Sequence, residues 1–81
     1  MTIMLNVNTP VEIADIRQTI AESPVLSVTK FAVGNERYTI EHHNINDWTI
    51  AIENVHNQFC VEYRERIVTF TLAAILNEYL A

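Results

Sequence analysis

Apolar and polar residues alternate with a period of two from Val25 to Arg64, and this alternation limits the fold more than any other feature of the chain. The pattern is typical of strands that bury one face, and the short polar segments that interrupt it are typical of hairpin turns. Gly34, the only glycine, is followed by Asn35 in a segment that suits a tight two-residue hairpin. The alternating region is therefore predicted to form four consecutive antiparallel strands.

The glycine turn and the apolar positions also predict how these strands pair. A two-residue turn places Phe31 opposite Tyr38. Between the last two strands, a loop over residues 54–57 places Ile52 opposite Phe59. The same two registers predict four further pairs: Thr29 with Ile40, Ile50 with Val61, Trp48 with Tyr63, and Asp47 with Arg64.

Helical spacing is found on both sides of the strands. Residues 9–12, Thr-Pro-Val-Glu, match a capping box with proline at the first helical position, and Ser23 followed by proline ends this helix. The tail repeats apolar residues every three or four positions from residue 66 to 81, and its helix is predicted to begin near Thr69. Residues 1–7 either add a short edge strand or fray.

Together these elements predict an α+β fold. It consists of an amino-terminal helix, a four-stranded antiparallel meander and a carboxy-terminal helix, with both helices on one face of the sheet. A chain of 81 residues suits one small domain, so residues 1–81 are expected to share a single core. Because so small a domain is only marginally stable alone, pairing with a second copy would add stability.

Charge and composition exclude several classes of function. The chain has 10 Asp plus Glu against 5 Lys plus Arg, a net charge of -5, so no nucleic-acid partner is expected. Phosphate loops and dinucleotide fingerprints need several glycines close together, so no cofactor is expected either. One cysteine allows no internal disulfide, and no apolar run is long enough for a signal peptide or a membrane span. We therefore expect a cytoplasmic protein without membrane contact.

Three histidines and Cys60 are the side chains best suited to bind a metal or act as a nucleophile. On a strand, the adjacent His42 and His43 point to opposite faces, and His56 is separated from Cys60 by a loop and a strand start. No spacing matches a structural zinc site, and a cysteine within a strand lacks the amides that form an oxyanion site. We predict no metal site and no catalytic residue, and a binding protein rather than an enzyme.

The sheet face turned away from the helices is the predicted functional surface. It carries charges of both signs around small residues such as Ala51, an arrangement that suits contact with another protein. Carboxylates on a wet, open face are poorly placed for acid–base catalysis. The residues predicted to bind a partner are Arg37, Thr39, Glu41, His43, Thr49, Glu53, Glu62 and Arg64.

A non-catalytic interaction module is the function that these exclusions favour. It would act as a regulator, an inhibitor or an adaptor, for instance an inhibitor of the phage or mobile-element type. The alternative that the sequence leaves open is a subunit of a homo-oligomeric enzyme or ligand-binding protein with a cleft between copies. The apolar residues of the last helix exceed one face, so we expect a homodimer with Leu76 and Leu80 as contact candidates.

Overall fold

The structure, a computed structural model, describes residues 1–5, 10–54 and 60–80, which form an α+β fold. Its elements are β1 (Thr2–Leu5), α1 (Pro10–Ala21), β2 (Val28–Val33), β3 (Glu36–Asn44), β4 (Asp47–Asn54), β5 (Cys60–Ile67) and α2 (Thr69–Tyr79). The strands form one five-stranded sheet in the order β1-β2-β3-β4-β5. The predicted class is confirmed, while the predicted strand count is one too low.

The additional strand is β1, which lies at the edge of the sheet and runs parallel to β2. Thr2 lies opposite Val28, and Leu5 lies opposite Phe31. The sheet is therefore mixed, whereas the sequence predicted an antiparallel sheet. Because adjacent parallel strands need a crossover connection, α1 lies between β1 and β2 in the chain. The other four strands form the predicted antiparallel meander.

α1 begins at Pro10, at the predicted residue, because proline suits a first turn whose N–H groups have no intrahelical partner. The predicted capping residue Thr9 lies outside the described residues. Ile16 and Ile20 form the buried stripe of the helix. Just after the helix, the Ser23 hydroxyl donates a hydrogen bond of 2.7 Å to the Ile20 carbonyl, which satisfies one of the last carbonyl groups.

The hairpin between β2 and β3 has the predicted register. Gly34 adopts a φ of 59°, in the left-handed region that glycine enters without steric cost. Phe31 lies opposite Tyr38, and Thr29 lies opposite Ile40. The rings of Phe31 and Tyr38 stack with their centroids 4.8 Å apart, so the hairpin contributes an aromatic pair to the core.

The predicted register between β4 and β5 is wrong by four residues. Ile52 lies opposite Tyr63 instead of Phe59, and Trp48 lies opposite Ile67 instead of Tyr63. Because a shift by an even number of residues leaves the same side chains facing the core, alternation does not distinguish the two registers. A β-bulge after Ile52 reduces this offset by one residue, so Glu53 lies opposite Val61 and Asn54 lies opposite Cys60.

Side chains from both helices and from one face of the sheet form a single apolar core. Ile50 and Ile52 of the interior strand β4 are completely buried there. The core cluster contains Ile16, Ile20, Phe31, Tyr38, Ile40, Trp48, Ile50, Ile52, Ile67, Leu72, Leu76 and Leu80. Neither of the two described helices covers the opposite face of the sheet.

α2 begins at the predicted residue Thr69, but its first turn is capped from elsewhere in the chain. The N-cap residue Val68 makes no side-chain cap hydrogen bond. The Asn46 side-chain oxygen, in the turn between β3 and β4, accepts from the Thr69 backbone N–H at 2.9 Å. Trp48 Nε1 donates to the Thr69 hydroxyl at 2.8 Å. The β3–β4 hairpin thus positions the start of α2.

Candidate functional site

The face of the sheet that carries no described helix is built from the outward side chains of all five strands. Their alternation with the core residues follows from the strand periodicity of two. We call this surface the open face. It consists of Thr2, Met4, Val28, Lys30, Ala32, Arg37, Thr39, Glu41, His43, Asp47, Thr49, Ala51, Glu53, Arg64 and Arg66. All the residues predicted to bind a partner lie here except Glu62, whose side chain is outside the described part of the structure.

Two ion pairs lie on the open face. Arg37 Nη2 is 2.6 Å from Glu53 Oε2, and these residues are directly opposite in β3 and β4. Two of the guanidinium nitrogens of Arg66 bind Asp47, since Nε donates to Oδ1 and Nη2 donates to Oδ2. The sequence analysis assigned Arg64 as the neighbour of Asp47, and the shifted register replaces it with Arg66.

The Arg66–Asp47 contact changes the titration of both partners. The hydrogen bond from Arg66 lowers the pKa of the Asp47 carboxyl, and the positive charge of Arg66 acts in the same direction. The same hydrogen bond raises the pKa of Arg66. Both side chains are solvated, so the pair contributes little to stability and mainly determines the local charge pattern.

His43 belongs to a third polar group at the centre of the meander. Its Nε2 is 2.6 Å from the Thr49 hydroxyl oxygen and 3.5 Å from Glu41 Oε2. These three residues were predicted as parts of the binding surface, and the structure places them together on β3 and β4. A histidine in contact with a hydroxyl and a carboxylate is held in one orientation, and it shields the charge of Glu41.

His42 lies on the other side of the sheet, as its adjacency to His43 predicts. Its ring stacks on Trp48 with centroids 3.7 Å apart. Because the partner of Nδ1 is the Ser23 carbonyl, at 2.9 Å, this nitrogen must carry the hydrogen. His42 therefore links the core to the loop after α1, and the two neighbouring histidines cannot bind one ion.

The remaining candidates for metal binding or nucleophilic chemistry are only partly described. Cys60 is the first residue of β5, and its side chain, like His56, lies outside the described residues. Within residues 1–5, 10–54 and 60–80, no group of three or more His, Cys, Asp and Glu is arranged to hold a metal ion. The predicted pairing of Ile50 with Val61 implies that Cys60 lies opposite Ala51, whereas the observed register places Arg64 there.

Arg64 was predicted to bind a partner and Lys30 was not, and the structure shows a feature that joins the two. Neither has a hydrogen-bond or ionic partner among the described residues. They lie at the two ends of a row of paired residues that crosses four strands. In this row Lys30 is opposite Thr39, Thr39 is opposite Ala51, and Ala51 is opposite Arg64. Three inter-strand spacings separate their Cα atoms by about 14 Å. Alternation could place Lys30 on this face, but only the structure shows the row.

Leu76 and Leu80, the predicted dimer contacts, lie inside the core of one copy. Each is 4% exposed, because the stripe that they share with Leu72 covers the sheet. The large apolar side chains that remain exposed near the start of α2 are Phe70, at 84%, and Ile45, at 83%. We therefore expect association through this region to use these exposed residues rather than the two leucines.

A cleft of about 120 Å³ lies between α1 and α2 above Trp48. Its walls are mostly apolar and include Ile20, Leu72 and Leu76, with Arg17 at the edge. Pockets that bind drug-sized ligands usually measure about 300 to 1,000 Å³. The volume of this cleft therefore suits a packing gap between two helices better than a substrate site.

The chain matches no protein family, no curated protein and no solved structure in the comparisons with each. Neither helix of the described residues is long and apolar enough to cross a membrane. Function has to be argued from the surface itself, since a fold class alone does not determine it.

Proposed function

We propose that this chain is a non-catalytic protein-interaction domain that binds its partner through the open face, as a regulator, an inhibitor or an adaptor. The observation that supports this proposal is the uncovered sheet face, since the helices that enter the core lie on the other side. Domains commonly bury sheet faces against a second layer. A partner protein would supply that layer.

The composition of the open face suits a protein partner. Thr39 and Ala51 are adjacent at its centre, where the longer side chains around them leave Ala51 only 8% exposed. Ion pairs that involve Arg37 and Arg66 surround this centre. Interfaces that form and separate are about as polar as the rest of a protein surface and are enriched in arginine, so these residues fit such an interface.

The polar groups of this face favour recognition over catalysis. A general acid or base works best in a concave, desolvated site. Glu41 and Glu53 are both partly exposed, and each already contacts a cationic or neutral partner, His43 or Arg37. These contacts orient side chains for binding, and neither Glu41 nor Glu53 is an isolated carboxylate of the kind that general acid catalysis uses.

Site-specific photo-crosslinking tests the proposal. A benzophenone amino acid replaces Thr39 at the centre of the open face, and in the matched control it replaces Ala74 on the exposed side of α2. Both full-length variants are checked for folding by circular dichroism and are then irradiated in the cells that make the protein naturally. We expect a discrete cross-linked protein from position 39 and none from position 74.

Two outcomes contradict the proposal. Cross-linking from position 74 without cross-linking from position 39 would place the binding surface on the helices. Absence of any product from both folded variants, at normal expression, would show that the domain does not bind a protein through this face.

A further inference from the structure

Charge is divided unequally between the two sides of this acidic domain. Four of the five Lys and Arg residues lie on the open face, namely Lys30, Arg37, Arg64 and Arg66. The acidic side chains described on that face are Glu41, Asp47 and Glu53. The other side carries Arg17 with Glu12, Asp15, Glu22, Glu36, Glu65 and Glu78. The open face is therefore the one side of the described structure where cations outnumber carboxylates.

Two of these cations are not neutralised by the described residues. Among the described side chains, the carboxylates nearest to Lys30 and Arg64 in the sheet are their diagonal neighbours Glu41 and Glu53, about 7 to 8 Å away between Cα atoms. Glu41 contacts His43, and Glu53 binds Arg37. Lys30 and Arg64 thus place two positive charges at the ends of the row, and the two residues between them, Thr39 and Ala51, are small and uncharged.

We propose that the partner presents an extended acidic segment to this row, with two carboxylates that meet Lys30 and Arg64. This inference rests on the proposed function and names the chemistry of the partner. An extended chain rises about 3.3 Å per residue, so acidic residues four positions apart are about 13 Å apart and point to the same side. That spacing matches the row of about 14 Å, and the intervening residues would lie over Thr39 and Ala51.

A hollow beside Lys30 provides room for one of the acidic side chains. It has a volume of about 470 Å³, and its borders include Met4, Ala32, Thr39 and the ion pair of Arg37 with Glu53. Met4 is 72% exposed and can cover the methylene groups of a bound glutamate. The hollow therefore combines a free ammonium group with an apolar wall, as a glutamate side chain requires.

A phosphate backbone is a poorer match for the same cations. Binding along a nucleic acid needs several cations that are free to neutralise successive phosphates. Here Arg37 and Arg66 are already paired with carboxylates. Single-stranded nucleic acids also use exposed aromatic rings, whereas Phe31, Tyr38 and Trp48 are buried in the core. An acidic protein segment needs only the two unpaired charges.

The test uses the full chain labelled with ¹⁵N and a short synthetic peptide as the probe. The peptide is uncharged apart from two glutamates four positions apart, and a second peptide carries lysines at those positions. Amide chemical shifts are followed during each titration at low salt. We expect the glutamate peptide to shift the amide signals of residues around Lys30, Thr39, Ala51 and Arg64. Raising the salt concentration to about 0.15 M should weaken its affinity about fivefold or more. The lysine peptide should cause no shift.

Charge-neutralising variants identify the contacts. Lys30→Gln with Arg64→Gln should weaken binding of the glutamate peptide about tenfold, since each exposed pair contributes a small amount. Arg17→Gln is the matched control, because it also removes a cation but lies on the other side of the domain. It should change the affinity less than about twofold, since a solvated charge at that distance is screened.

Several results would overturn the inference. They are no shift with the glutamate peptide at millimolar concentration, equal shifts with the lysine peptide, equal weakening by Arg17→Gln, or equal shifts with a single-stranded oligonucleotide. Cross-linking from position 39 together with any of these results would reject the acidic segment and leave the proposed function standing. Cross-linking confined to position 74 would reject both.

Discussion

The hydrogen bond from Asn46 to α2 is the contact whose removal should most clearly test how this domain is assembled. Asn46→Ala removes the oxygen that accepts from the Thr69 N–H at 2.9 Å. The N-cap residue Val68 has no side chain that could replace it. Loss of a helix cap costs about 1 kcal/mol of unfolding free energy, within a range of about 0.5 to 2 kcal/mol.

The melting temperature should fall measurably. In a domain of this size, about 1 kcal/mol corresponds to roughly 4 to 8 °C. Thermal unfolding followed by circular dichroism measures this shift. Urea denaturation followed by the fluorescence of Trp48 measures the free energy, and this single tryptophan reports on the region because its Nε1 donates to the Thr69 hydroxyl.

Two variants of the same turn serve as controls. Asn44→Ala removes an asparagine whose side chain accepts only from the next residue, Ile45, at 3.0 Å. It should cost less than about 0.5 kcal/mol, as most surface substitutions do. Asn46→Asp keeps the acceptor and adds a negative charge that is favourable at a helix amino terminus, so it should keep the stability of the natural chain.

The reasoning is refuted if Asn46→Ala is as stable as Asn44→Ala. It also fails if Asn46→Asp is as unstable as Asn46→Ala, because the loss would then not depend on the acceptor. Either result would show that α2 begins at its position through packing alone.

The other predictions concern titration and association. Glu65 accepts a hydrogen bond from the Tyr63 hydroxyl and raises the pKa of Tyr63 to about 12. Glu65→Gln should therefore return the midpoint of the phenolate absorbance titration toward about 10. Comparison with Tyr63→Phe identifies the part of the absorbance that belongs to Tyr63. The stabilisation by this raised pKa is present below about pH 10 and is lost as pH rises toward 12. The arginine hydrogen bond lowers the pKa of Asp47, so the stabilisation by this pair is present above about pH 4 and is lost as pH falls. Asp47→Asn should therefore flatten this part of the plot of unfolding free energy against pH, measured by urea denaturation. An unchanged slope would contradict this prediction. Leu76→Asp should unfold the domain because Leu76 is in the core. Phe70→Asp should leave the fold intact and weaken self-association, as measured by light scattering. A folded Leu76→Asp variant, or an unchanged dimer with Phe70→Asp, would contradict these assignments.

The fold could be predicted wherever neighbouring residues carry the information. The Gly34 turn determines the β2–β3 register, because a two-residue loop allows one pairing of the strands that it joins. Pro10 and Thr69 mark the starts of the helices through local backbone preferences. The register between β4 and β5 had no such marker, since no glycine or short turn limits the loop and the two alternatives bury the same face.

For the candidate site, the sequence likewise predicted the features that depend on neighbouring residues and not those that depend on the pairing of distant strands. Alternation placed Arg37, His43 and Thr49 on one face, and the structure confirms their position. Alternation does not show which charges neutralise each other. Only the register across four strands shows that Lys30 and Arg64 lie in one row, without carboxylate partners among the described residues.

The sequence alone determined the α+β class, both helix starts, the four-stranded meander and the side of the sheet on which its polar residues lie. These features depend on periodicity and turn chemistry, which act over a few residues. Only the tertiary structure decided that residues 2–5 add a parallel strand, that Asn46 caps α2, and that Leu76 is core. Each of these features depends on contacts between segments that are far apart in the chain. The free energy of such contacts is set by three-dimensional packing rather than by the local sequence pattern.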